Sequence, residues 1–173
     1  MTDDDRVFLI TGASTGIGAA TARRAAQAGH RLVLAARSED KLAELARELG
    51  GEGRALAVRC DVTEWTDQEQ LVQAALDAFG RLDVVFANAG FGAKRGFLEE
   101  TPEQWRAMVL TNVLGAAYTI RATLPALKRS RGHVLITSSV ASPRRVRRSI
   151  RRWRSIRLSS PPSPMIPCSV GGS

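Results

Sequence analysis

The chain has 173 residues, is 44% hydrophobic and carries a formal charge of +8, which suits one domain with a real core. Its two cysteines, Cys60 and Cys168, are too few for a disulfide framework. Asp3, Asp4 and Asp5 near the N-terminus are unlike a signal peptide, and no apolar run approaches the roughly 20 residues of a bilayer span, so a reducing cytoplasm is expected.

The elements follow a regular strand–helix alternation. Residues 7–10 read as a first strand, followed by Thr11-Gly12-Ala13-Ser14-Thr15-Gly16-Ile17-Gly18 and an alanine-rich helix ending near Gly29. This turn has the form of a phosphate cradle. Gly12 permits the tight turn off the strand, and Gly16 leaves no Cβ between the backbone and a pyrophosphate. Gly18 lets the helix pack close to the sheet, and the helix N-terminal amides face the anion. Residues 31–35 are a second strand. Ser38 is expected to cap a helix that turns Leu42, Leu45 and Leu49 to one side and stops at Gly50-Gly51.

Residues 55–60 form the third strand, ending at Asp61-Val62. Thr66 with Glu69 has the form of a capping box, opening a helix that buries Leu71, Val72, Ala75 and Phe79 and ends at Gly80. The fourth strand, residues 82–87, ends at Asn88-Ala89-Gly90. Thr101, Pro102 and Gln104 then open a long helix through Trp105, Asn112 and Ala117, and residues 133–137 form a fifth strand ending at Ser138-Ser139. This alternation predicts an α/β fold, a doubly wound, mostly parallel sheet in the order 3-2-1-4-5 with helices on both faces.

The spacing Gly12-x3-Gly16-x-Gly18 resembles that of the short-chain dehydrogenase/reductase family, and three further segments agree in order, over roughly residues 6–141. The resemblance implies a Rossmann-like fold. It assigns Gly12, Ser14, Thr15, Gly16, Ile17 and Gly18 to the phosphates, Asp61 and Val62 to the adenine, and Asn88, Ala89 and Gly90 to bracing the sheet beside the cofactor. It makes Asn112 the support of a water relay and Ser139 the group that polarises the oxygen of a small carbonyl or alcohol substrate. Where an acidic residue would hold a ribose hydroxyl, the chain reads Ala35-Ala36-Arg37. The Arg37 guanidinium suits a 2′-phosphate, so NADP(H) is expected ahead of NAD(H).

In this family a tyrosine relays a proton while the nicotinamide exchanges hydride with a carbonyl carbon, and a lysine four residues on assists it. Near position 152 this chain has Arg151-Arg152-Trp153-Arg154, and no lysine follows Lys128. Its single tyrosine, Tyr118, is expected on another face of the helix from Asn112.

Charge divides the chain at the same point. Eight of the 25 Lys/Arg residues are the arginines at 144, 145, 147, 148, 151, 152, 154 and 157, and the 17 that remain match the 17 Asp/Glu. The expectation is therefore an incomplete dinucleotide-binding domain over residues 1–142 and a disordered Arg/Pro/Ser-rich tail over 143–173. The favoured reading is an oxidoreductase sequence broken after Ala141 and catalytically silent, its exposed sheet edge prone to self-association. Two alternatives stand beside it. One is a non-catalytic NADP-binding regulator. The other uses Val146, Ile150 and Trp153 at helical spacing among arginines to bind a membrane surface or acidic partner; nucleic acid is a less favoured partner.

Overall fold

The computed structural model describes residues 6–51, 53–93 and 98–138. Its strands and helices all belong to the unit Met1–Thr137; of the unit Ser138–Ser173, only Ser138 is among the described residues. The expectations for the basic tail and for Ser139 therefore lie outside the described residues.

The elements in chain order are β1 (Val7–Thr11), α1 (Gly16–Gln27), β2 (Arg31–Ala36), α2 (Glu39–Glu48), β3 (Ala55–Arg59) and α3 (Trp65–Phe79). Then come β4 (Val84–Ala87), α4 (Pro102–Val109), a π-helical segment (Leu110–Gly115), α5 (Ala116–Ser130) and β5 (His133–Ile136). The strands form one sheet in the order β3-β2-β1-β4-β5, with every pairing parallel. This is the doubly wound Rossmann-like arrangement expected. Strand β1 is central, and all five of its residues are buried, as a strand covered on both faces requires. Phe8 and Ile10 pack with Ala19 and Ala22 of α1 and Leu42 and Leu45 of α2. Val7 and Leu9 pack on the opposite face with Leu71 and Ala75 of α3 and Ala126 and Leu127 of α5.

The local signals fared unequally. Thr101 and Gln104 form the expected capping box, each side chain bonded to the other residue's backbone, and Gly80 ends α3 in a left-handed conformation. Ser38 stands at the start of α2 but makes no side-chain capping bond. The capping box expected of Thr66 and Glu69 is not formed. Helical bonding already starts at the Glu64 carbonyl, which accepts from the Gln68 N–H, so Thr66 lies inside the first turn. Gln68 is instead the buried polar residue of α3, donating to the Val62 carbonyl (3.1 Å) and to Thr119 Oγ1 (3.0 Å).

From Pro102 to Ser130 the helical run is continuous and, by length and composition, long and apolar enough to cross a membrane, contrary to the sequence-based expectation. Its inner side nevertheless packs on the protein. Met108, Gly115, Thr119, Thr123, Ala126 and Leu127 are buried. The hydroxyls of Thr119 and Thr123 donate to the Gly115 and Thr119 carbonyls, so both donors are satisfied within the helix.

Asp83, just before β4, ties three strands together at their N-terminal ends. Its carboxylate accepts from the Val7 N–H (2.9 Å) and from Arg81 through two nitrogens (2.8 and 2.6 Å). Its N–H donates to the Val7 carbonyl, and its carbonyl accepts from the His133 N–H. Removing one partner of a buried, hydrogen-bonded ion pair leaves the other charge without its counterpart. Asp83→Ala is expected to lower stability by about 3 kcal/mol, read as a lower urea midpoint with an unchanged slope.

Candidate cofactor site

The turn between β1 and α1 is shaped by close backbone approach. Gly12 has φ +66°, and a Cβ there would come within 2.8 Å of the Ala89 Cα. A Cβ on Gly18 would lie 2.3 Å from the Gly12 carbonyl oxygen. Gly18 is thus required by contact with the turn itself rather than with the sheet, a refinement of the sequence-based reading. Gly16, at φ +56°, has open space where its Cβ would be. Helical bonding in α1 begins with the Ala19 N–H donating to the Thr15 carbonyl. The amides of Gly16, Ile17 and Gly18 therefore have no partner within the helix, as at any helix start. No acidic residue stands in this first turn to compete with an anion. Ser14 is half-buried, while Thr15 and Ile17 are exposed beside the opening.

Asn88 braces this turn from β4. Its Nδ2 donates to the Thr11 carbonyl (3.1 Å) and weakly to that of Gly12 (3.4 Å), and its Oδ1 accepts from the Thr137 hydroxyl (2.8 Å). Thr11 Oγ1 accepts in turn from the N–H groups of Asn88 (3.1 Å) and Ala89 (3.2 Å). The C-terminal ends of β1, β4 and β5 are thereby locked into one network. Sequence reading passed over Thr11 and Thr137. Their one available signal is position, a threonine ending each flanking strand.

Asn112 lies in the π-helical segment and turns both ends of its amide to one residue. Its Oδ1 accepts from the Phe91 N–H (3.0 Å) and its Nδ2 donates to the Phe91 carbonyl (2.8 Å). A Cβ on Gly90 would come within 2.9 Å of that Oδ1, so Gly90 is what allows the chain leaving β4 to lie against the helix. Two residues of sequence reading thus meet, Gly90 and Asn112. Gly115 closes the same segment against Val62, whose Cγ2 would be 2.6 Å from an added Cβ. Val62 is buried, with its side chain committed to that contact. Tyr118 stands apart from Asn112, edge-on to Trp65 at 5.4 Å between ring centres.

Asp61, beyond β3, accepts from the N–H (3.0 Å) and hydroxyl (2.8 Å) of Thr63 through Oδ1. Partial burial opposes its charge, but the two Thr63 bonds, with Arg37 and Arg59, outweigh that and hold its carboxyl below the usual range. Arg37 is exposed at the end of β2, close enough to Asp61 to act on it electrostatically. Cys60 offers no chemistry here. Burial, reinforced by Asp67 and Asp61, pushes its thiol up to about 12, leaving it protonated and inert near neutral pH.

Gly12, Gly16, Gly18, Arg37, Asp61 and Asn88 all follow the C-terminal ends of strands. The strand order reverses between β1 and β4, and ligands of such sheets bind at that reversal. A parallel sheet with an anion-ready helix start at its switch point defines a dinucleotide-binding α/β protein. The family model for short chain dehydrogenases matches residues 6–150, and the chain belongs to that family.

An uncharacterized oxidoreductase of Listeria monocytogenes is 38% identical over 143 residues, which are 82% of this chain and 58% of the relative. An alcohol dehydrogenase from the archaeon Thermococcus sibiricus, complexed with 5-hydroxy-NADP, superposes with a TM-score of 0.72 at 39% identity, covering 81% of this chain and 60% of its own. A short chain dehydrogenase/reductase from Burkholderia phymatum, in complex with NAD, gives 0.75 at 36% identity, covering 83% and 53%. The chain thus spans about three fifths of the length of the curated relatives it matches.

Proposed function

We propose that this chain carries the cofactor half of an oxidoreductase that moves hydride between NADP(H) and a small carbonyl or alcohol substrate. One observation supports this most directly. The first-turn amides of α1, with no carboxylate beside them and open space at Gly16, face the switch point of the sheet. The arrangement fits a pyrophosphate, held by the backbone of Gly12 to Gly18 and by the helix dipole. Asp61 and Arg37 border the neighbouring strand ends, where the adenosine portion would extend.

When bound, the nicotinamide supplies or accepts the hydride. The protein's own residues bind, orient and exclude water. Asn88 and Thr11 hold the phosphate turn rigid. Asn112 fixes the segment after β4 through Phe91, which makes it a positioning residue in this arrangement. Ser139 is assigned the substrate oxygen by family resemblance alone.

NADP(H) is preferred over NAD(H) in this reading because Arg37 stands where a carboxylate would repel the 2′-phosphate. A charge-assisted hydrogen bond of this kind contributes about 1.5–3 kcal/mol, roughly ten- to a hundredfold in affinity. Titration by intrinsic fluorescence is expected to give tighter binding of NADPH than NADH, and Arg37→Asp is expected to reverse the order. Equal affinities in the unaltered chain would remove Arg37 from that role.

A further inference from the structure

Arg59 closes β3, the strand next to β2 at one edge of the sheet. It stands in register beside Ala36, the residue before Arg37. Register partners project to the same face from strands about 4.8 Å apart. Ala36 belongs to the core on the α1 and α2 face, so Arg59 projects to the face on which α1 packs. Its guanidinium is loosely held. The side chain is 56% exposed, and Nη1 lies 3.6 Å from Asp67 Oδ2. That oxygen already accepts from the Asp61 N–H at 2.8 Å. An ion pair this long and this exposed restrains a side chain little. Arg37 and Arg59 both act electrostatically on the Asp61 carboxylate, which brings the two guanidinium groups near one point beyond the ends of β2 and β3.

A phosphate monoester carries a charge of about −1.5 to −2 near pH 7 and three strong acceptor oxygens. Arg37 offers one positive charge, which the ionised Asp61 offsets, and Glu39 and Asp40 in the first turn of α2 add to the negative side. One planar guanidinium also engages only two of the three oxygens. A 2′-phosphate beyond the end of β2 would therefore leave both charge and an acceptor unmatched by Arg37 alone. We propose that Arg59 is a second phosphate-binding residue, which leaves Asp67 to close on the 2′-phosphate of NADP(H) beside Arg37 and so helps to set the preference over NAD(H). The inference rests on the NADP(H) reading above and deepens it.

The test titrates NADPH and NADH into the unaltered 173-residue chain and its variants, read by intrinsic fluorescence. Arg59→Gln is expected to weaken NADPH binding about tenfold, the lower end for a charge-assisted hydrogen bond, and to leave NADH within about twofold. Arg59→Lys, which keeps the charge without the planar fork, should fall between. Asp67→Asn should tighten NADPH about threefold, as release from an exposed ion pair allows, and only while Arg59 is present. An NADPH affinity that Arg59→Gln leaves within about twofold overturns the proposal while the NADP(H) reading stands. Equal weakening of both dinucleotides overturns it too, because it marks a structural role. A tightening by Asp67→Asn that persists in the Arg59→Gln background does the same. If the unaltered chain binds the two dinucleotides equally, the reading and the proposal fall together.

Discussion

Purified as the 173-residue chain, the protein is expected to oxidise no NADPH above background with any panel of aldehydes and ketones. Among the described residues, the tyrosine is turned to another partner and the last lysine lies away from the glycine turn. Tyr118 packs edge-on against Trp65, with the Arg121 guanidinium over the same indole at 5.4 Å. Lys128, the last lysine of the sequence, lies in the final turn of α5. That turn leads into β5, at the end of the sheet opposite the strand C-termini where the glycine turn lies. Asn112 has both amide ends on the Phe91 backbone. Without a positioned general acid the rate falls typically by 10²–10⁴. Lost orientation and water exclusion lower it further. Activity is expected only when the sequence continues past Ala141 in a frame that supplies a Tyr-x-x-x-Lys pair near position 152. Steady loss of NADPH absorbance catalysed by the unaltered chain would refute this.

Gly18→Ala is expected to weaken both cofactor binding and the fold, although alanine ordinarily stabilises a helix by about 1 kcal/mol relative to glycine. The added methyl would sit 2.3 Å from the Gly12 carbonyl oxygen and 2.8 Å from Asn88 Nδ2. Neither can retreat. Gly12 is itself backed against the Ala89 backbone, and Asn88 is held by Thr11 and Thr137. Overpacking of this kind costs about 1–3 kcal/mol, and a displaced turn should lower NADPH affinity by roughly a hundredfold. Gly16→Ala makes the contrasting case. Its Cβ meets nothing in the protein, so only the left-handed backbone resists it, at about 1–2 kcal/mol. Binding should still fail, because the methyl occupies the space facing the phosphate. Thermal unfolding and fluorescence titration of both variants separate the two effects. Near-native NADPH affinity in Gly18→Ala would show that the turn is not held as described.

The sequence by itself determined the alternation of elements and the phosphate turn. Each rests on interactions local in the chain. The apolar runs of residues 7–10 and 31–35 demand burial on two faces, and glycines at 12, 16 and 18 record backbone geometry directly in residue type. The capping box of Thr101 and Gln104 was legible for the same reason, since both partners lie within one turn. Only the tertiary structure decided the contacts between distant segments. Nothing near Asn112 announces that its amide will bond to Phe91, or that Gly90 and Gly115 are the close approaches bordering a π-helical segment. Nothing local marks Gln68 as buried, and its partners, Val62 and Thr119, come from other segments. Thr66 and Glu69 had capping spacing, but the helix had already begun at Glu64. Asp83 likewise bonds to the backbone of two neighbouring strands. Periodicity and turn chemistry act over a few residues and can be read in order. Side-chain hydrogen bonds across a sheet depend on register and packing that exist only once the strands have met.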